Sequence, residues 1–247
     1  MSVKNDKKVV RDIIDVIDAL EMQTDRSVLF QHFSDFTKSL GFSGALIGHV
    51  VNPAFHNVEY DDLMLTDWSS EFQRRWREQN YMFHDPILKY AMINRSAFNW
   101  STAYTHATRF GQKILDESRD FQMAEGLAIP VSLGANPLGM VSLVGSADEL
   151  SVREMAGLEL VSIHACNRLL KIATFDYGQE KEVSLTPREV DVLHYVAGGK
   201  TNWEIAHILG ISEYSIKDHL LSARRKLNAA NRAHSVMLGM RGGHIIT

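Results

Sequence analysis

The stretch "LTPREVDVLHYVAGGKTNWEIAHILGISEYSIKDHLLSARRKL", residues 185–227, punctuates itself into three helices. Thr186-Pro187-Arg188-Glu189 combines an N-cap hydroxyl, a proline at the first helical position and a glutamate three residues after the cap. The helix it opens carries Val190, Leu193 and Val196 and stops at "AGGK". Thr201-Asn202-Trp203-Glu204 repeats the capping box ahead of Ile205, Ala206 and Leu209. Gly210 breaks that helix, Ser212 caps the next, and Ile216, Leu220, Ala223 and Leu227 give the third an apolar face. Two short helices across the tight "LGIS" turn make a helix-turn-helix, whose second helix enters the major groove with its early residues at base edges. A single capping box is a weak signal; three helix starts around a glycine turn are a strong one.

Charge agrees with that reading. The formal net charge is −4, yet residues 214–232 hold five cations against one acid, Asp218. A basic segment on an acidic protein is the electrostatic footprint of nucleic-acid binding. Lys217 and His219 sit early on the recognition helix and are candidates for base or phosphate contact. Arg224, Arg225 and Lys226 sit later, where phosphates are the expected partners.

The segment closely resembles the DNA-binding domain of LuxR-type transcription factors over residues 184–246, with Glu189, Leu193 and Gly199 at the family's Glu, Leu and Gly positions. Leu221 departs from it, standing where some members present a base-contacting cation. One helix-turn-helix has little reach, and a homodimer places two recognition helices about one helical turn apart. An inverted-repeat operator in double-stranded DNA is therefore expected, with the helical pattern at 151–173 the candidate dimer contact and RNA polymerase a candidate partner.

At 247 residues, with 45% hydrophobic and 23% charged, the chain has room for two domains of ordinary globular composition. No apolar run reaches membrane-span length, and the opening "MSVKNDKKVVRD" lacks the apolar core of a secretory signal. Cys166 is the only cysteine, so no intrachain disulfide forms. A cytoplasmic protein with no membrane partner is expected. The histidines are scattered without metal-ligand spacing and no glycine-rich phosphate loop appears, so neither a metal, a cofactor nor an enzyme is expected. A phosphoacceptor receiver is disfavoured, because the chain opens with helical patterns rather than a strand ending in paired acids.

Ahead of the basic segment, helical spacing marks residues 9–22, 29–40, 68–80, 109–123 and 151–173. "GALIGHVV", "VEYDDLML", "GLAIPVSL" and "GMVSLVG" read as strands, with a turn at Gly134–Pro137 and Pro130 arguing for an edge or a bulge. The polar "FDYGQEKEVSL", residues 175–185, is the expected linker between domains at 1–174 and 186–247. The fold expected is α+β for the first domain, with helices on both faces of a mostly antiparallel sheet, and all-α for the second.

One carboxylate in the first domain asks for an explanation. In "FQRRWREQNYMFHDP", residues 72–86, four aromatic rings surround Asp85 just before a proline, and an unpaired buried charge is costly. Pro86 biases Asp85 toward extended backbone; Asp-Pro is also a good helix start, so Asp85 as a plain N-cap is the alternative. Asp85-Pro86, Trp100 and Gly126 fall at spacings that resemble the acyl-homoserine-lactone branch of the LuxR family, whose first domain is an α-β-α sandwich enclosing a ligand. By that resemblance Asp85 accepts the amide N–H of a small-molecule signal, Ser142 turns a hydroxyl into the cavity and Trp100 forms a wall. Met82, Phe83 and Tyr104 are lining or core. Where the family has a Trp followed four residues later by a Tyr, donors to the ligand's carbonyls, this chain has Phe72 and Trp76. Phenylalanine cannot donate; the Trp76 indole N–H can. The expected function is a quorum-sensing, ligand-responsive regulator. The alternative is a ligand-independent one whose first domain serves only dimerisation.

Overall fold

The computed structural model describes residues 3–50, 64–105, 107–132, 138–176 and 183–245. The chain divides into two compact units, Met1–Gly178 and Gln179–Thr247. The turn expected at Gly134–Pro137, most of the strand expected at 58–65 and residues 177–182 of the expected linker lie outside the described residues.

The first unit begins with α1 (Val3–Met22) and α2 (Arg26–Ser39), the latter capped by Asp25 through the N–H groups of Ser27 and Val28. Strand β1 (Gly44–Val50) follows, then β2 (Met64–Thr66), α3 (Ser70–Glu78) and a single 3₁₀ turn at Tyr81–Phe83. Next come α4 (Pro86–Ile93), β3 (Phe98–Asn99), α5 (Trp100–Tyr104) and α6 (Arg109–Arg119). Strands β4 (Gly126–Ser132) and β5 (Leu138–Val144) and the long α7 (Val152–Asp176) complete it. The described strands form one antiparallel sheet, ordered β2-β1-β5-β4-β3.

Strand alternation divides the side chains between two cores. Ala45, Ile47, Leu127, Ile129, Val141 and Leu143 face α1, α2 and α7, packing on Leu20, Leu29, Phe33 and Leu158. Ala128, Met140 and Val144 face the other way, against Phe72, Ile87, Trp100 and Leu115 of the α3–α6 layer. The architecture is the expected α-β-α sandwich.

Pro130 has a local explanation. It sits in a strand paired on both sides, opposite Met140, in a ladder without a bulge. The Gly145 N–H donates to Glu125 O, so by antiparallel alternation position 130 turns its backbone nitrogen away from β5. On that side β3 is only two residues long and ends at Ala128. The strand is an edge at that one position, and no ladder bond is lost.

The second unit contains α8 (Pro187–Ala197), α9 (Asn202–Leu209), α10 (Glu213–Lys226) and α11 (Arg232–Arg241). Both expected capping boxes are formed, Thr186 with Glu189 and Thr201 with Glu204. Gly210 takes a left-handed φ of 65°, which turns the chain between α9 and α10. The fourth helix, α11, goes beyond the three expected; Asn231 caps it through the His234 N–H.

Candidate ligand cavity and nucleic-acid interface

The cavity lies between the sheet and the α3–α4 layer, walled by Leu46, Met140 and Ser142 from the strands and by Trp68, Trp76 and Asp85 from the helical side. Its volume is about 50 Å³, room for a few water-sized groups and well below the roughly 300–1,000 Å³ of a filled small-molecule site.

Asp85 is extended, with φ −60° and ψ 118°, and caps α4 by accepting the Ile87 N–H at 2.8 Å. The Trp76 indole also donates to its carboxylate. The residue as a whole is half-buried, with its carboxyl group drawn in toward the protein. Burial pushes the carboxyl above the usual carboxylate range, and the Ile87 N–H, the Trp76 indole and the Leu88 N–H reduce that shift without cancelling it. The cap and a cavity-facing carboxylate therefore coexist in one side chain.

Trp68 is the residue that sequence reasoning missed. The residue lines the cavity, and its indole nitrogen is buried with no hydrogen-bond partner among the described residues. The side chain is pinned from several directions. Neighbouring Asp67 accepts the Ala45 N–H at 2.7 Å and the Ser34 hydroxyl at 3.0 Å, and pairs with Lys38 at 3.3 Å. The Trp68 carbonyl accepts from Gln73 at 2.7 Å, and its ring meets Trp100 edge-on and Phe72 at a tilt, both at 6.1 Å. A buried N–H without an acceptor costs about 1–3 kcal/mol, so this donor is available to whatever enters. The only sequence signal was an indole four residues before Phe72, one helical turn away.

The other expected residues divide. Phe72 is 3% exposed and packs between Trp68 and Phe121 on the cavity wall, offering no donor. Ser142 lines the cavity and its Oγ accepts from the Trp100 indole at 3.1 Å, leaving the hydroxyl proton without an acceptor among the described residues. Trp100 is not among the residues lining this cavity; it stands behind Ser142 as a polar support. A Cβ on Gly126 would collide with the Trp100 ring and with Leu143 O, which explains the glycine. Phe83 turns to solvent, 64% exposed, because the 3₁₀ turn carries it outward while Tyr81 goes in and donates to Glu117 at 2.7 Å. Tyr104 is buried, and burial, then the charge of Asp85, push its phenol up.

On the second unit, α10 exposes Tyr214, Lys217, Leu221 and Arg225 along one face and buries Ile216 and Ala223 on the other. His219 is half-buried and lies about 160° around the helix from Lys217, so the two do not share a reading face. The later cations Arg224, Arg225 and Lys226 are all exposed, and Arg224 also donates to Ala229 O at 3.0 Å. Lys226 Nζ reaches Glu189 at 2.7 Å. Burial opposes ionisation of Glu189, but Lys226, Ser222 and the Thr186 N–H outweigh it and hold the carboxyl down at about 2. Lys226 thus ties α10 to α8 through an ion pair, on a side chain that stays partly exposed. Arg232 holds the start of α9, donating to Asn202 Oδ1 at 2.7 Å and Lys200 O at 2.6 Å.

Among the described residues no cluster of His, Cys, Asp or Glu is arranged to hold a metal, and no helix is long and apolar enough to cross a membrane. Residues 25–169 match the autoinducer binding domain family, and residues 183–238 match the bacterial regulatory proteins of the luxR family. The chain is 28% identical to the HTH-type quorum sensing-dependent transcriptional regulator RpaR of Rhodopseudomonas palustris, over 96% of both proteins. It is 25% identical to the transcriptional activator protein LuxR of Aliivibrio fischeri, over 95% of this chain and 94% of that one. Escherichia coli SdiA shares the fold, with a TM-score of 0.63 and 20% identity across 95% of this chain and 98% of SdiA. The chain belongs to the LuxR family of bacterial regulatory proteins, DNA-binding transcriptional regulators in which an autoinducer binding domain precedes a helix-turn-helix.

Proposed function

We propose that the first unit captures an acyl-homoserine lactone or a related acyl amide, and that the second binds an inverted-repeat operator as part of a homodimer in the cytoplasm. The observation that carries the ligand reading is the unpartnered Trp68 indole N–H, in the same wall as the Asp85 carboxylate. An acyl amide satisfies both at once: its carbonyl accepts from Trp68 and its N–H donates to Asp85. Ser142 and Trp76 complete the polar set. Phe72 leaves a lactone carbonyl without a donor at that position, so straight-chain lactones are expected to bind selectively rather than indiscriminately. The quorum-sensing relatives support a signal molecule as the occupant. Lys217 and Arg225 are the DNA contacts proposed first, with RNA polymerase a further partner. The test is mass spectrometry of small molecules released from the purified full-length chain, followed by thermal shifts across acyl chain lengths and non-lactone amides. A co-purified acyl amide, or a saturable shift with one, is the expected result.

A second reading rests on the cavity volume of about 50 Å³: a closed first unit that only dimerises. It predicts no thermal shift with any compound in the panel, and that outcome would displace the first.

A further inference from the structure

Most apolar residues of α10 point into the second unit. Ile216 and Ala223 are fully buried there, and Leu220 and Leu227 pack against the same core. Leu221 instead is 47% exposed. Lys217, Leu221 and Arg225 follow at intervals of four residues, each step about 40° around the helix axis and about 6 Å along it, and all three are exposed. An apolar side chain thus stands between two cations on one face of the second helix of a helix-turn-helix. From Tyr214 to Leu221 that face runs for about two turns, the length over which a homeodomain helix presents its base-reading residues. Asp218 borders the face and is exposed; a carboxylate accepts from a cytosine amino group and does not compete for an apolar partner.

We propose that Leu221 is a specificity-determining residue that reads the C5-methyl group of a thymine in the operator. This role rests on the DNA contacts proposed for Lys217 and Arg225, which put the same face of α10 against the major groove. Base edges in that groove offer hydrogen-bond donors and acceptors, and the thymine methyl is the one apolar group among them. Leucine has neither a donor nor an acceptor. Pressed against a guanine, adenine or cytosine edge, it strips water from polar groups and returns no hydrogen bond, which is unfavourable. Against the methyl, both partners lose apolar surface to water-free contact, which is favourable. The flanking cations hold the helix to the duplex, and the leucine between them adds the preference for one base.

The test begins with selection of binding sites from random duplex DNA by the full-length chain. Each thymine of the selected site is then replaced by uracil, which removes the methyl and nothing else. Fluorescence anisotropy at fixed salt should find a thymine at which uracil weakens binding about fourfold, the effect of roughly one buried methyl group. In Leu221→Ala the thymine and uracil duplexes should bind alike, and since Leu221 is exposed the variant should melt as the wild type does. A selected pool with no methyl-dependent thymine, or a dependence that Leu221→Ala leaves intact, overturns the proposal. Lys217→Ala locates the failure. If it weakens binding while no thymine methyl matters, α10 faces the groove and Leu221 does not read it; if neither matters, the placement of α10 falls and the proposal with it.

Discussion

Asp85 accepts hydrogen bonds from the Ile87 N–H and the Trp76 indole, and its carboxyl still stays above the ordinary carboxylate range. Because the folded chain holds that proton more tightly than the unfolded one, Asp85 favours folding at low pH. That contribution is lost as pH rises through its raised folded pKa. A ligand N–H reverses the balance by favouring the ionised form. Ligand affinity is therefore expected to rise with pH through that pKa and level off above it. In Asp85→Ala the titration should be flat and affinity lower by about ten- to hundredfold; thermal shifts measured from pH 4 to 8 provide the check. Trp68→Phe separates stability from binding at a neighbouring residue. Removing an unpartnered donor should leave the melting temperature of the free protein unchanged or slightly raised, yet weaken ligand binding about tenfold. Equal losses in both would mark Trp68 as packing alone. Asp85 was legible in the sequence because Asp-Pro fixes a cap and a backbone direction within two residues. Trp68 was not, because only its neighbours reveal that its N–H lacks an acceptor. Those neighbours are Asp67 with its Ser34, Lys38 and Ala45 contacts, and the Trp100 ring.

Helices α8 and α10 are joined by the pair Glu189–Lys226 at 2.7 Å, with Glu189 3% exposed. A carboxyl held down at about 2 contributes stability above the ordinary carboxylate range and loses it as pH falls toward that value. Glu189→Gln is expected to cost about 1.5–3 kcal/mol and to reduce the acid-side dependence of the second unit's unfolding, measured by denaturant melts between pH 2 and 5. Lys217→Ala is the contrasting variant on the same helix. Lys217 is exposed, so stability should hold while operator binding weakens. A reduction of about 1 in the salt slope would mark a phosphate contact, and relaxed sequence preference a base contact. Helix starts were legible because a capping box closes within four residues. Strand β3 was not, since two residues become a strand only when β4 is there to pair with them.

At the scale of the whole molecule, the proposed homodimer requires a contact surface. Val152, Ala156, Leu160 and Ile163 on α7 are all exposed and fall at helical spacing on one face. This stripe is the proposed dimer contact. Leu160→Glu is expected to give a monomer in sedimentation, with operator affinity falling toward the roughly 10⁻⁴–10⁻⁶ M of non-specific binding; an intact dimer would place the contact elsewhere. The sequence alone determined the helix-turn-helix, the caps, the strands β1, β4 and β5 and the identity of the acidic group before Pro86. All of these are set by residues within a turn or two of each other, where backbone sterics and local hydrogen bonds decide. Tertiary structure decided the rest: Lys226 pairs with Glu189 across two helices, His219 lies around the helix from Lys217, and Trp100 stands behind Ser142. It also left Trp68 as an unpartnered donor. Each of these depends on which atoms from distant segments arrive within 3 or 4 Å, roughly the range of a hydrogen bond or ion pair, and no local pattern encodes that arrival.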